Sequence, residues 1–133
     1  MTINRGLLDT TVFIASDSGR ELDLTGLPNE SAVSVVTVAE LHAGVLAAAD
    51  LDTRSLRLAT LDALADIEVL PIDEPVAIIW ARMRVHLAQS GRRINVNDLW
   101  IAATAASRGL PLITQDDDFG PVDGIAGLRV VRV

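Results

Sequence analysis

Short apolar runs alternate with longer segments of helical period along this 133-residue chain, and that alternation restricts the fold more than any other feature. Gly6-Leu7-Leu8 is one such run and ends at Asp9. Ser31–Val36 (S-A-V-S-V-V) is a second, and Leu112-Ile113 a third. Apolar runs that lack polar alternation read as strands buried on both faces. Between them, Thr10–Ser16, Thr37–Ala49, the stretch carrying Leu51, Leu58, Leu61 and Ala65, the stretch from Asp73 to Gly91, and an Ala-rich stretch ending at Arg108 read as helices. Val38, Leu41, Val45 and Ala48 share one helical face, as do Val76, Ile79, Met83 and Leu87. Asp73 with Pro75 suits a helix start, Gly91 a helix end, and Asn95 or Asn97 another start. Ile67–Ile72 contains a proline, which suits a strand at a sheet edge, and Leu128–Val133 reads as a last edge strand. The expected fold class is α/β: a mostly parallel central sheet flanked by helices, in a single domain over residues 1–133.

In open parallel sheets, ligands bind outside the carboxyl ends of the strands. Asp9 ends the first apolar run, Glu40 lies one helical turn after the second, Asp116 follows the third, and Asp98 opens a helix. Each acid has an ordinary local role open to it. Asp9 in L-L-D-T-T can cap a helix. Thr37-Val38-Ala39-Glu40 fits a capping box. Asp98 suits the positive end of its helix dipole, and Asp116-Asp117-Asp118 suits a solvated turn. Four capping acids need not converge, however, and here the alternation of strand and helix puts all four at one edge. Carboxylates gathered there repel and raise one another's pKa values, and a bound divalent cation offsets the repulsion. With no Cys and two His in the chain, an oxygen-only site selects Mg²⁺ or Mn²⁺ over Zn²⁺.

Charge and composition narrow the partners. The net charge is −7 and the chain has no Lys, which argues against a protein that coats nucleic acid non-specifically. Between Glu74 and Asp98 there is no acid but there are four arginines, Arg82, Arg84, Arg92 and Arg93. On charge pattern alone a solvated helix and loop is the preferred account of them, with local polyanion contact the other. The absence of Cys excludes disulfides and a catalytic thiol, and fits a cytoplasmic setting. Asn4, Arg5 and Asp9 interrupt any signal-peptide core, and no apolar run approaches the roughly 20 residues of a membrane span. A receiver-type signalling domain and a P-loop nucleotidase each need a Lys, and a haloacid-dehalogenase-type phosphatase needs D-x-D where this chain has Asp9-Thr10-Thr11.

L-L-D-T (Leu7–Thr10), S-V-V-T-V-A-E-L (Ser34–Leu41), N-D-L-W-I-A-A (Asn97–Ala103) and T-Q-D-D-D-F (Thr114–Phe119) occur in this order. In order and spacing the chain resembles the PIN domain, and within it the VapC-type ribonuclease toxins of bacterial type II toxin–antitoxin pairs. The resemblance implies a Mg²⁺- or Mn²⁺-dependent endoribonuclease with Asp9, Glu40, Asp98 and Asp116 as catalytic acids. It sets Asp9, Asp98 and Asp116 nearest the metal and Glu40 behind a bound water. Asp118 also matches the motif and would assist, with Thr10 and Thr114 as donors that orient the carboxylates. A metal-activated water would leave 5′-phosphate and 3′-hydroxyl ends. The resemblance further implies a cognate VapB-type antitoxin covering the acidic pocket, a homodimer and a toxin–antitoxin hetero-oligomer. Arg92 and Arg93, just before Asp98, are the candidates for RNA phosphate. Trp80 and Trp100 are expected to pack in helices rather than to stack on bases. The reading from another class is a PIN-like module that binds RNA or protein without cutting.

Overall fold

The computed structural model describes residues 2–133; of the domain expected over 1–133, Met1 lies outside the described residues. Five strands form one sheet: β1 (Arg5–Leu8), β2 (Glu30–Ser34), β3 (Glu68–Leu70), β4 (Leu112–Thr114) and β5 (Val130–Arg132). Their order across the sheet is β3-β2-β1-β4-β5, and every neighbouring pair is parallel. The helices are α1 (Thr10–Asp17), α2 (Val35–Leu46), α3 (Leu51–Asp62), α4 (Glu74–Ser90) and α5 (Val96–Ser107). No described helix is long and apolar enough to cross a membrane.

Adjacent strand residues point to opposite faces, and each central strand spends its pair on two different cores. Leu7, Ala32 and Leu112 join Val76, Met83 and Leu87 of α4 and Leu99, Ile101 and Ala102 of α5. Leu8, Val33 and Ile113 join Val12 and Phe13 of α1 and Leu41 of α2. The register carries this through the sheet: Leu7 pairs with Ala32 and Leu112, and Leu8 with Ile113. Both edge expectations hold, with β3 at one edge, Pro71 just beyond it, and β5 at the other. Gly91 ends α4 at φ 66°, a left-handed conformation that glycine adopts without Cβ strain.

Three local expectations change. The second strand stops at Ser34, not Val36, and α2 begins at Val35. Val35 and Val36 have strand propensity, but the Ser34 hydroxyl accepts a 3.0 Å bond from the Val36 amide and starts the helix there. The Thr37–Glu40 capping box therefore does not form, because both residues are already inside α2. Between the two asparagines, Asn95 is the cap; its Oδ1 accepts from the amides of Asn97 and Asp98. Lastly, Leu51 and Leu58 of α3 stay exposed. That helix packs on α2, where Arg57 donates to the Gly44 carbonyl at 2.6 Å; Leu56 is exposed as well, and Leu61 packs against the core.

Strand order reverses at β1: the chain moves from it to β2 and β3 on one side, then crosses to β4 and β5 on the other. The carboxyl ends of β1 and β4 thus flank the switch point, where a crevice opens in such sheets. Two helices separate β3 from β4: the Arg108–Asp73 ion pair sets the start of α4 beside the end of α5, and α5, which leads back to the start of β4, has its N-terminus at the carboxyl edge.

Candidate active site

Asp9 follows β1 directly and is 1% exposed. Although it stands at the N-cap position of α1, its carboxylate makes no capping bond. Its Oδ2 accepts two hydroxyl donors instead, Thr11 Oγ1 at 2.7 Å and Thr114 Oγ1 at 2.8 Å. Each hydroxyl has one proton to give, so the 3.2 Å approach of Thr11 Oγ1 to Thr114 Oγ1 is a contact imposed by a shared acceptor. Both hydroxyl oxygens in turn accept backbone amides, Thr11 from Gln115 at 3.1 Å and Thr114 from Asp116 at 2.9 Å. Two threonines from opposite ends of the chain thus clamp one carboxylate oxygen.

The other oxygen, Asp9 Oδ1, is buried and has no hydrogen-bond partner. A buried, unsatisfied carboxylate oxygen carries a desolvation cost of a few kcal/mol. Burial pushes the Asp9 carboxyl above its usual range, opposed by the Thr11 and Thr114 hydroxyls and by the nearby amides of Thr10 and Thr11.

Glu40 is held by a second hydroxyl pair. Thr10 Oγ1 donates to Glu40 Oε1 at 2.8 Å and lies 3.0 Å from Thr37 Oγ1. With the Thr10 proton committed to the carboxylate, Thr37 must be the donor in that second bond. A relay therefore runs from Thr37 through Thr10 to Glu40. Thr37 and Glu40 are three residues apart on α2 and face the same side of the helix.

Asp98, in the first turn of α5, brings the acids into one electrostatic unit. Its carboxyl is pushed up to about 7, first by burial and then by the charges of Asp9, Glu40, Asp116 and Asp118. Residues from the end of β1, from α2 and from the segment after β4 thus act on one group of α5. Asp116 is half-buried and its Oδ1 accepts the Asp118 amide at 3.2 Å. Asp118 is exposed, and its carboxyl is raised chiefly by Asp116. Asp117 points away into a 2.5 Å ion pair with Arg132. Arg92 and Arg93 line a neighbouring cleft with Asp118 and Asn95, beside the acids and not among them. His42 is exposed and His86 half-buried. Trp80 and Trp100 stack on each other, centroids 4.8 Å apart.

Among the described residues, no three acid or histidine side chains are drawn together tightly enough to grip an ion as they stand. Two local costs remain in this arrangement, the bare buried oxygen of Asp9 and the raised carboxyl of Asp98. Both would be relieved by a hard divalent cation among oxygen donors. Since Mg²⁺ keeps several waters, it does not require every acid to touch it.

Sequence reasoning named the four acids and Thr114 but missed Thr11 and Thr37. Thr10 does orient a carboxylate, that of Glu40, while Thr11 serves Asp9. The T-T doublet after Asp9 and the i, i+3 spacing of Thr37 and Glu40 were the available signals.

A family model described as PIN domain matches residues 6–125. Ribonuclease VapC5 of Mycobacterium tuberculosis (strain ATCC 25618 / H37Rv) is 60% identical over 128 residues, an alignment covering 96% of this chain and 95% of that protein. Ribonuclease VapC4 of the same strain is 38% identical over 130 residues, covering 98% and 100%. Among solved structures, a VapBC-5 toxin–antitoxin crystal structure from Mycobacterium tuberculosis matches with a TM-score of 0.91 at 57% identity, over 97% of this chain and 98% of that chain.

Proposed function

The chain belongs to the PIN domain family, in its VapC-type branch, and from that premise we propose that it is a Mg²⁺- or Mn²⁺-dependent endoribonuclease, the toxin of a VapBC-type pair acting in the cytoplasm as one nuclease domain over residues 1–133. The observation that carries the reading is Asp9: buried, clamped on one oxygen by two threonines, bare on the other, and facing acids whose charges lift Asp98.

Asp9, Asp98 and Asp116 would hold the cation. When bound, it supplies positive charge at a phosphoryl oxygen and lowers the pKa of a water. Thr11 and Thr114 keep the Asp9 carboxylate oriented, so its free oxygen is presented with little loss of side-chain entropy. Glu40, fixed through Oε1 by the Thr10 hydroxyl, uses its other oxygen to accept a proton from the attacking water. Asp118, bonded through its amide to Asp116, steadies that side chain. Arg92 and Arg93 meet substrate phosphate at the cleft's rim. The products carry 5′-phosphate and 3′-hydroxyl ends.

A VapB-type antitoxin is the partner proposed for the face beside Glu40. There Ile14, Leu41, Leu56 and Arg57 line a groove of about 360 Å³ that Glu40 also lines. An apolar strip beside an acid cleft suits a segment that ends in a basic side chain. Homodimer and toxin–antitoxin hetero-oligomer belong to the same proposal.

The deciding experiment maps RNA ends after expression of the parent and of Asp98→Asn. New 5′-phosphate ends with the parent alone are expected. Identical end maps would remove the ribonuclease reading.

A further inference from the structure

A second groove, of about 540 Å³, runs along the C-terminal half of α4, the loop after Gly91 and the start of α5. Trp80, Leu87 and Ile94 give it an apolar wall, and Arg84, Arg92 and Arg93 line it. Arg84 lies one turn beyond Trp80 and so shares its helix face. Arg82 belongs to a different depression on the other side of α4, beside His86. Among the described residues, Arg5, Arg108 and Arg132 each find an acid; Arg84, Arg92 and Arg93 form no ion pair, and the other arginines without one do not line this groove. In a chain with 18 acids and 11 arginines, three unpaired guanidiniums on one groove are a concentration of positive charge that folding has left unspent.

The groove also leads somewhere. Arg92, Arg93 and Ile94 line the adjoining cleft as well, together with Asn95, Asp117 and Asp118. The Arg92 guanidinium reaches over the loop beyond the acids, where Nη2 lies 3.9 Å from the place a Cβ on Gly120 would occupy. A cluster of carboxylates repels a polyanion, so the attraction that brings one to the cleft has to come from beside it. Guanidiniums suit phosphate, and an apolar wall suits the face of a base; an acidic peptide would use the first and leave the second bare.

Building on the ribonuclease reading, we infer that this groove seats the single-stranded RNA flanking the cleaved phosphate, with Arg84, Arg92 and Arg93 on backbone phosphates and a base against Trp80 and Ile94. The test compares Arg84→Gln/Arg92→Gln with Arg82→Gln, the latter a charge control on the opposite side of α4. Steady-state cleavage of a fluorescent single-stranded RNA gives KM and kcat. Salt titrations of RNA binding, measured by anisotropy in an Asp98→Asn background, give the number of phosphate contacts. For the double variant, KM is expected to rise about tenfold with the loss carried in KM rather than kcat, and the slope of log affinity against log salt to fall by about 0.7 for each contact removed. Arg82→Gln should match the parent in both. A double variant with parental KM and salt slope overturns the groove assignment and leaves the nuclease reading standing. So does one that keeps its RNA affinity but loses a protein partner. If the parent binds RNA with the expected salt slope yet cuts none, the groove stands and the ribonuclease reading fails.

Discussion

The Thr114 hydroxyl, at the end of β4, donates a 2.8 Å hydrogen bond to the carboxylate of Asp9, 105 residues earlier at the end of β1. The pairing of Leu7 with Leu112 and Leu8 with Ile113 sets the two side chains together. One bond thus joins the sheet register to the chemistry of the site.

Thr114→Val keeps the shape of this fully buried side chain and removes the donor. Affinity for Mn²⁺ and the RNA cleavage rate should each fall about 10–100-fold, with the far-UV circular dichroism of the parent. Calorimetric titration with Mn²⁺ checks it, and an unchanged affinity would show that the clamp is not needed.

Thr10→Val should separate the two hydroxyl pairs. Its hydroxyl orients Glu40 and does not contact Asp9, so cleavage should drop about tenfold while Mn²⁺ affinity stays within about twofold of the parent. If metal affinity falls as far as activity, Glu40 belongs to the metal site and the division of roles is wrong.

Stability of the metal-free chain should depend on pH in the direction opposite to most acidic groups. Asp98 binds its proton more tightly folded than unfolded, because its carboxyl rises from 3.8 to about 7. Its favourable contribution is therefore complete below about pH 4 and is lost as pH climbs through 7. Raised carboxyls at Asp9 and Asp118 act in the same sense. In EDTA, thermal unfolding should occur at a lower temperature at pH 8 than at pH 6, and Asp98→Asn should flatten that difference. An equal slope in the variant would exclude Asp98 as its source.

Asn95→Ala removes the side chain that bonds the Asn97 and Asp98 amides. The expected cost is about 1 kcal/mol in urea denaturation. Because the frayed turn carries Asp98, Mn²⁺ binding should weaken as well. Loss of stability with full metal affinity would confine Asn95 to capping.

Ile113→Ala opens the core between the sheet and α1, where Ile113 is fully buried against Leu8, Val12 and Val33. Destabilisation of about 2–5 kcal/mol is expected from the lost packing and the cavity, read as a lower urea midpoint. A change under about 1 kcal/mol would mean that the site collapses around the smaller residue.

Much of this molecule could be read directly from residue order. Runs such as Leu7-Leu8 and Leu112-Ile113, apolar on both faces and separated by helical segments, demand a covered parallel sheet, and the acids that close those runs then fall at its carboxyl edge. That edge follows from topology and needs no knowledge of side-chain angles, so the gathering of Asp9, Glu40, Asp98 and Asp116 at one edge was legible in advance. The details that remained belong to the tertiary structure. Val35 and Val36 favour a strand by their branching, and only the Ser34 hydroxyl turning back on the Val36 amide makes them helical and takes Glu40 out of a capping box. Adjacent Thr10 and Thr11 are interchangeable in the sequence, yet they serve different carboxylates. Arg84 and Arg92 meet on one groove because α4 ends at a left-handed Gly91 and the chain turns there. Periodicity and strand ends are properties of the backbone repeat and can be counted along one dimension. Which hydroxyl meets which oxygen depends on rotamers and on register between segments far apart in the chain, and these exist only once the sheet has closed.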